Sequence, residues 1–117
     1  MPFINVYTSA EPPSDAAVTE LLTSLSRALA THLGKPESYV MTCLVPRTRM
    51  SFAGTFAPAC YAEVKNVGPL GEPLAEAMSR DLCARLSTAF AVSTDRVYIE
   101  FTEAEGRLWG FAGSTFG

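Results

Sequence analysis

The chain has 117 residues, of which 48% are hydrophobic and 18% are charged, and this composition excludes an intrinsically disordered protein. We expect a single domain over residues 1–117, because domains usually contain roughly 100–200 residues. The net charge is −3 and no apolar run approaches the ~20 residues of a membrane span, so we expect no nucleic-acid partner and no membrane-spanning segment.

The first half of the chain predicts a strand, a helix and a second strand. Residues 2–8 are rich in β-branched and aromatic types, which favours a strand. Over residues 14–33, apolar side chains recur at steps of three and four, the spacing of one helix face, with Ser14 suited to the N-cap and Gly34 to the end. Residues 39–45 then predict a second strand.

The second half of the chain repeats this order of elements. Residues 59–67 predict a third strand, residues 73–91 a second helix and residues 96–102 a fourth strand. The glycine-rich tail over residues 106–117 is expected to form a short strand or hairpin. Two βαβ units predict an α/β (α+β) fold with one four-stranded mixed sheet and both helices on one face. The reason is that the helical connection between two parallel strands is right-handed in both units, so both helices can cover the same side of the sheet.

The predicted sheet has a second face that no helix covers. On the fourth strand, Val97, Ile99 and Phe101 are expected to point to the helices. The residues assigned to the uncovered face are Pro2, Ile4, Val6, Tyr39, Met41, Cys43, Val45, Tyr61, Glu63, Lys65, Tyr98, Glu100 and Thr102. Because monomers seldom expose a large apolar patch, we expect self-association to bury this face in a closed symmetric ring.

Pro2 becomes the N-terminal residue when the initiator Met1 is removed, which is usual before a small second residue. Its nitrogen is then a secondary amine, and burial in an apolar pocket would lower its pKa from the ordinary value of about 7.7–8.0. A neutral amine near pH 7 can act as a general base or a nucleophile. The alternative is a Met-Pro start that arose by chance, since proline makes up about 5% of residues in proteins.

Two other side chains are candidates for binding an anionic substrate. Lys35, at the end of the first helix, could anchor a carboxylate, although a lysine there often only caps helix carbonyls. Tyr98 could donate a hydrogen bond to a developing oxyanion, or could instead be a tyrosine at an interface. Each residue taken separately therefore allows a structural interpretation as well as a functional one.

The single histidine and the three cysteines give no sign of a metal site. His32 is interpreted as a cation at the C-terminal end of the first helix. Cys43, Cys60 and Cys83 lack the C-x-x-C spacing of a zinc or redox motif and are interpreted as small buried hydrophobes. We therefore expect no structural metal.

Five segments stand out in order along the whole chain. They are Met1-Pro2, Gly34-Lys35-Pro36 with Tyr39, Met50-Ser51-Phe52-Ala53-Gly54, Asp95-Arg96-Val97-Tyr98-Ile99 and Gly113-Ser114-Thr115-Phe116. Together they resemble the macrophage migration inhibitory factor family of the tautomerase superfamily. The resemblance implies a βαββαβ subunit that assembles into a homotrimer, with the active sites between subunits.

The resemblance also implies a reaction, the keto–enol tautomerisation of phenylpyruvate- or dopachrome-type substrates. Pro2 is the implied general base, and Tyr98 is supplied by the neighbouring subunit. The implied substrate-binding residues are Lys35, Val67 through its backbone, Tyr98, Glu100, Trp109 and Phe111. No cofactor is implied, because the carbonyl group of the substrate already acidifies the proton that moves.

Glu100 departs from the family pattern, in which mammalian members carry an asparagine. An amide can donate a hydrogen bond to a substrate phenol, whereas an ionised carboxylate cannot. A carboxylate near Pro2 would also raise the pKa of the amine and repel an anionic substrate. We therefore expect weak tautomerase activity or a shift towards other substrates.

Two other functions stay open at this point. One is a cytokine-like protein with weak or vestigial tautomerase activity that binds a cell-surface receptor, and the other is a generic ferredoxin-like binding module. The first residues lack the basic and apolar segments of a signal peptide. We expect a cytoplasmic protein, with secretion independent of a signal peptide as the alternative.

Overall fold

The computed structural model describes residues 1–117 and has the order of elements that the sequence predicts. The elements are β1 (Phe3–Thr8), α1 (Asp15–Leu33), β2 (Met41–Val45), β3 (Cys60–Val67), α2 (Glu72–Phe90), β4 (Val97–Ala104), β5 (Gly110–Phe111) and β6 (Ser114–Thr115). Short 3₁₀ turns over Glu37–Tyr39, Thr94–Arg96 and Gly106–Leu108 precede β2, β4 and β5. Strands β5 and β6 pair as the expected C-terminal hairpin. Neither helix has the length and apolar character needed to cross a membrane.

Helix α1 begins and ends where the sequence predicts. The hydroxyl of Ser14 accepts a hydrogen bond from the backbone N–H of Ala17 at 3.0 Å, which satisfies one free donor of the first turn. Gly34 ends the helix in the left-handed conformation with φ 62°, and the N–H of Lys35 then donates to the carbonyl of Ala30. This ending fixes the backbone of Lys35 directly after the helix.

The four long strands form one mixed sheet in the order β2-β1-β3-β4. Strand β1 pairs in parallel with β2, and β3 pairs in parallel with β4, each pair being connected through a helix. The two central strands, β1 and β3, are antiparallel. This topology confirms the two βαβ units and places the end of β3 beside the start of β1.

Both helices pack on one face of the sheet, where 15 buried residues form the core. The helices contribute completely buried side chains such as Leu25, Leu29 and Leu82, and removing them from water drives the packing. Alternate residues of the strands meet them from the sheet. Val97, Ile99 and Phe101 of β4 pack against this core, as predicted.

The faces of β1 differ from the prediction that placed Pro2, Ile4 and Val6 on the uncovered face. Ile4 pairs with Val64 and Val6 with Ala62, so both point to the helices and are completely buried. The side chain of Pro2 is also buried, with less than 2% exposed. The prediction was wrong because β1 carries large apolar or aromatic side chains on both faces, Ile4 and Val6 on one and Phe3 and Tyr7 on the other, and alternation alone then does not determine its register.

The uncovered face is a grid of side chains from all four strands. Its rows are Val45-Tyr7-Tyr61-Tyr98, Cys43-Asn5-Glu63-Glu100 and Met41-Phe3-Lys65-Thr102. Met41 and Tyr98 are each 64% exposed in the single chain. Tyr39, which was also predicted on this face, lies instead in the turn before β2 because the strand begins only at Met41.

Candidate active site

The start of β1, the start of β2 and the end of β3 meet at one end of the sheet. Phe3 pairs with Met41 on one side and with Lys65 on the other. The carbonyl oxygen of Pro2 accepts a hydrogen bond from the N–H of Met41 at 3.0 Å. The backbone of Pro2 is thereby fixed at this end of the sheet, and its buried ring gives the chain start an apolar environment.

Lys35 reaches the end of β3 from the loop after α1. Its Nζ donates hydrogen bonds to Oδ1 of Asn66 at 2.7 Å and to the carbonyl oxygen of Val67 at 2.6 Å. Lys35 takes part in none of the ion pairs of the chain, so no carboxylate neutralises its charge. Burial lowers the pKa of Lys35, because the charged form loses solvation. The structure thus brings together Lys35 and Val67, which the sequence analysis singled out separately.

The amino group at the start of the chain lies within the electrostatic influence of Lys35. In this chain it belongs to Met1, and the nitrogen of Pro2 is then a peptide nitrogen without basicity. Burial, and after it the positive charge of Lys35, lowers the pKa of this amino group. Both effects disfavour the protonated form of the amine.

Three aromatic rings form a cluster beside the loop that carries Lys35. The ring of Tyr39 meets Phe111 edge-on at a centroid distance of 5.5 Å and Phe116 at 6.2 Å, while Phe111 and Phe116 stack at 5.5 Å. Tyr39 and Phe111 remain 41% and 53% exposed, which leaves an open apolar surface. Trp109 lies at the base of the same hairpin, where its backbone N–H donates to the carbonyl of Gly106.

Tyr98 lies near the other end of the sheet, and Glu100 lies midway along β4. Tyr98 pairs with Tyr61, close to the start of β3, whereas Val67 is the last residue of that strand. At ~3.3 Å per residue, this separation along β3 is roughly 20 Å. Glu100, opposite Glu63, is four residues or about 13 Å from the same point. Within one chain, the structure therefore brings neither Tyr98 nor Glu100 into contact with Lys35 and Pro2.

Two different environments surround Tyr98 and Glu100. The ring of Tyr98 lies 4.9 Å from that of Phe52. Phe52 belongs to a loop whose carbonyls accept hydrogen bonds from the guanidinium of Arg96.

Glu100 is directly opposite Glu63 on the neighbouring strand. Burial, and then the charges of Glu100 and Glu63, raises the pKa of the Tyr61 phenol.

Asn66 and Phe116 belong to the site although sequence reasoning assigned them no role. Asn66 continues the alternation of Ala62 and Val64, so it lies on the core-facing side of β3 and is only 2% exposed. A polar residue in a position that alternation assigns to the core was the available signal. Phe116 lies in the C-terminal segment that the sequence analysis singled out, but its contacts with Tyr39 and Phe111 come only from the structure.

Other chemically active side chains lie away from this site. His32 contacts Asp81 of α2, with 2.8 Å between Nε2 and Oδ2. A cavity of about 490 Å³ lies between α1 and α2 and includes none of the predicted site residues. No group of three or more His, Cys, Asp or Glu side chains is arranged to hold a metal ion, and the three cysteines are unpaired.

The fold and the site define a class of protein, a βαββαβ subunit with a lysine held beside the start of the chain. The family model of macrophage migration inhibitory factor (MIF) matches residues 1–117, and the chain belongs to this family. It is 42% identical to a MIF homologue of known structure from Prochlorococcus marinus, with a TM-score of 0.92 over 98% of this chain and 99% of that one.

Curated relatives agree with this family assignment. The chain is 33% identical to the MIF homologue of Trichuris trichiura over 92% of this chain and 95% of that protein. It is also 33% identical to the MIF of Rattus norvegicus over 99% of each chain. The family resemblance and the MIF-like fold expected from the sequence are therefore confirmed.

Proposed function

We propose that this protein is a cofactor-independent keto–enol tautomerase in which the N-terminal imino group of Pro2 is the general base. The observation that carries the proposal is the position of Lys35. Its ammonium is held at the end of β3 by two neutral oxygens, near the amino group of Met1, whose pKa burial and the charge of Lys35 lower. A base and an anion-binding group at one end of the sheet are what the reaction requires.

The proposed reaction moves one proton within an α-keto acid such as phenylpyruvate. The neutral nitrogen of Pro2 removes a proton from the carbon next to the keto group, and the C–H electron pair becomes the C=C bond of the enol. The keto oxygen gains a proton from the protonated Pro2, which regenerates the base. Lys35 and the backbone at Val67 hold the carboxylate or carbonyl end of the substrate while charge develops on the oxygen.

The aromatic cluster supplies a surface for the apolar part of the substrate. Tyr39 and Phe111 are partly open to solvent, and their faces suit an aryl ring, since aromatic pairs attract each other beyond the burial of area. We place Trp109 at the same wall. An aromatic α-keto acid or a dopachrome-like compound is therefore favoured over an aliphatic one.

We propose further that the active unit is a homotrimer. Tyr98 lies on the uncovered face roughly 20 Å along the sheet from the site of Lys35, and Glu100 lies on the same face about 13 Å away, so a neighbouring subunit would supply them to this site. The exposure of Met41 and Tyr98 in the single chain supports an interface there. Glu100 from the neighbour would repel an anionic substrate, so we expect a modest rate with phenylpyruvate.

The test measures phenylpyruvate enolisation by absorbance, after intact mass has shown whether Met1 is absent. Pro2→Gly should reduce kcat/KM by about 10²-fold or more, because general-base catalysis typically contributes 10²–10⁴-fold. Insertion of an alanine between Met1 and Pro2 should reduce it at least as much, since the nitrogen of Pro2 then lies in a peptide bond. The matched control is Pro13→Gly in the exposed turn before α1, which should keep the full rate.

Full activity of both Pro2 variants would refute the catalytic assignment. A cytokine-like function is the second candidate, because curated relatives such as the rat protein are named for an effect on macrophage migration. It predicts that the purified protein alters macrophage migration and that Pro2→Gly retains this effect. Lack of tautomerase activity in the wild type together with such an effect would favour this second function.

A further inference from the structure

Asn66 is a buried amide whose only hydrogen-bond partner among the side chains is Lys35. It lies on the core-facing side of β3, is 2% exposed, and its Oδ1 accepts from Lys35 Nζ at 2.7 Å. An ammonium can only donate, so this contact fixes which end of the amide faces the lysine. A buried polar group is costly unless it is hydrogen-bonded, so this pair is a specific structural feature and not a chance surface contact.

The two acceptors of Lys35 are both neutral. The amide oxygen of Asn66 and the carbonyl of Val67 occupy two of the three N–H donors of the ammonium. No carboxylate forms an ion pair with Lys35. The ammonium is therefore fixed in position without a carboxylate that neutralises its charge, and one of its three donors is left for a ligand.

We propose that Asn66 is a positioning residue that holds the Lys35 ammonium without neutralising it, so that the charge acts on both the substrate anion and the N-terminal amine. This inference rests on the proposed function for its catalytic consequence. The structural part of the inference does not depend on the proposed function, because the hydrogen bond between Asn66 and Lys35 exists whether or not the chain is an enzyme.

Substitutions at position 66 can test whether the neutrality of the Asn66 amide matters. An aspartate at position 66 has nearly the same shape but would pair with Lys35 and cancel its charge. The protonated N-terminal amine would then no longer be repelled, and it would also be attracted by the new carboxylate. A leucine of similar volume would instead keep the charge of Lys35 and remove one of its two acceptors.

The experiment measures two pKa values by NMR titration, that of the N-terminal amine and that of Lys35, and then the pH profile of kcat/KM. Asn66→Asp should raise the pKa of the amine by about one unit or more, and the acidic limb of the profile should move by the same amount. Asn66→Leu should raise KM for phenylpyruvate about tenfold and change kcat less, because the anion-binding group is no longer fixed. The charge control is Thr88→Asp on the exposed side of α2, which should change neither pKa.

A double-mutant cycle shows whether Asn66 acts through Lys35. In a Lys35→Met background, Asn66→Leu should cause no further rise in KM. Additive effects of the two changes, or an unchanged amine pKa in Asn66→Asp, would overturn the inference. A wild type without tautomerase activity would instead refute the proposed function, and the titrations of the amine and of Lys35 would still decide the role of Asn66.

Discussion

At the scale of single residues, the candidate site depends on the positive charge of Lys35, which neutral oxygens hold in place without a carboxylate partner. Partly buried cations usually have a carboxylate partner, because desolvation otherwise favours the neutral form. Lys35 instead has two neutral oxygens, from Asn66 and Val67, and burial lowers its pKa. Such an arrangement stabilises the folded chain less than an ion pair would, but it leaves the charge available to an anionic ligand.

Lys35→Met tests this charge, since it keeps the length of the apolar stem and removes the ammonium. We expect kcat/KM for phenylpyruvate to fall by about 10–100-fold, because a hydrogen bond to a charged group is lost. The pKa of the N-terminal amine should rise, since the charge that disfavours its protonated form is gone, and the acidic limb of the pH–rate profile should move to higher pH.

The control for this prediction is Arg80→Met, which removes one positive charge from an exposed position of α2. It should leave both the rate and the pH profile unchanged. An acidic limb that stays in place in Lys35→Met would show that the lysine does not influence the base.

At the scale of elements, α1 and α2 are joined by a polar cluster as well as by the core. Asp81 of α2 accepts a hydrogen bond from Arg85 Nε at 2.8 Å and contacts His32 of α1. Arg85 also donates to the hydroxyl of Ser24 on α1. The cluster thus connects one helix to the other at two points outside the apolar interface.

Asp81→Asn should weaken this connection in a pH-dependent way. Burial by itself raises the pKa of Asp81, but its contacts with Arg85 and His32 outweigh burial and lower the pKa overall. The carboxyl group of Asp81 therefore binds a proton more readily in the unfolded chain than in the folded chain. Its ionised form stabilises the fold above about pH 4. We expect the variant to lose about 1 kcal/mol of unfolding free energy at pH 7, a small value because the group is partly exposed.

Urea unfolding at several pH values measures this effect. The difference between Asp81→Asn and the wild type should shrink as the pH falls below about 4, because the unfolded chain takes up the proton first, and should be smallest below the lowered pKa of the folded carboxyl group. Glu76→Gln, at an exposed position of the same helix, is the control and should change little at any pH. Equal stability of Asp81→Asn and the wild type at pH 7 would mean that the cluster does not stabilise the helix pair.

At the scale of the whole molecule, one chain contains only part of the proposed site. Lys35 and Pro2 lie at one end of the sheet, whereas Tyr98 lies roughly 20 Å away and Glu100 about 13 Å away along its uncovered face. The chain cannot close this distance without breaking the sheet. This separation is the reason for proposing a site shared between subunits.

Mixing two inactive variants tests the shared site. Pro2→Gly and Tyr98→Ala subunits, unfolded and refolded together in equal amounts, should recover activity at about a quarter of the sites, where an intact Pro2 meets an intact Tyr98. The variants refolded separately and then mixed are the control. No recovery in a hybrid of confirmed trimeric mass would place both residues in one subunit or exclude Tyr98 from the site.

Much of the fold could be predicted from local signals. The three- and four-residue spacing gave both helices, Ser14 and Gly34 marked the ends of α1, and the repeated order of elements predicted the mixed sheet. Lys35 could be singled out because it follows the helix end directly. These features depend on backbone and side-chain preferences within a few residues, which a single sequence contains.

The sequence by itself determined the order of elements, the helix ends and the type of groups available for chemistry. Only the tertiary structure decided which face Ile4 and Val6 occupy, that Tyr39 joins the C-terminal rings, and that Asn66 accepts from Lys35. The physical reason is that register and side-chain pairing arise between segments far apart in sequence. A strand with large apolar or aromatic side chains on both faces does not specify which face is buried until a neighbouring strand pairs with it.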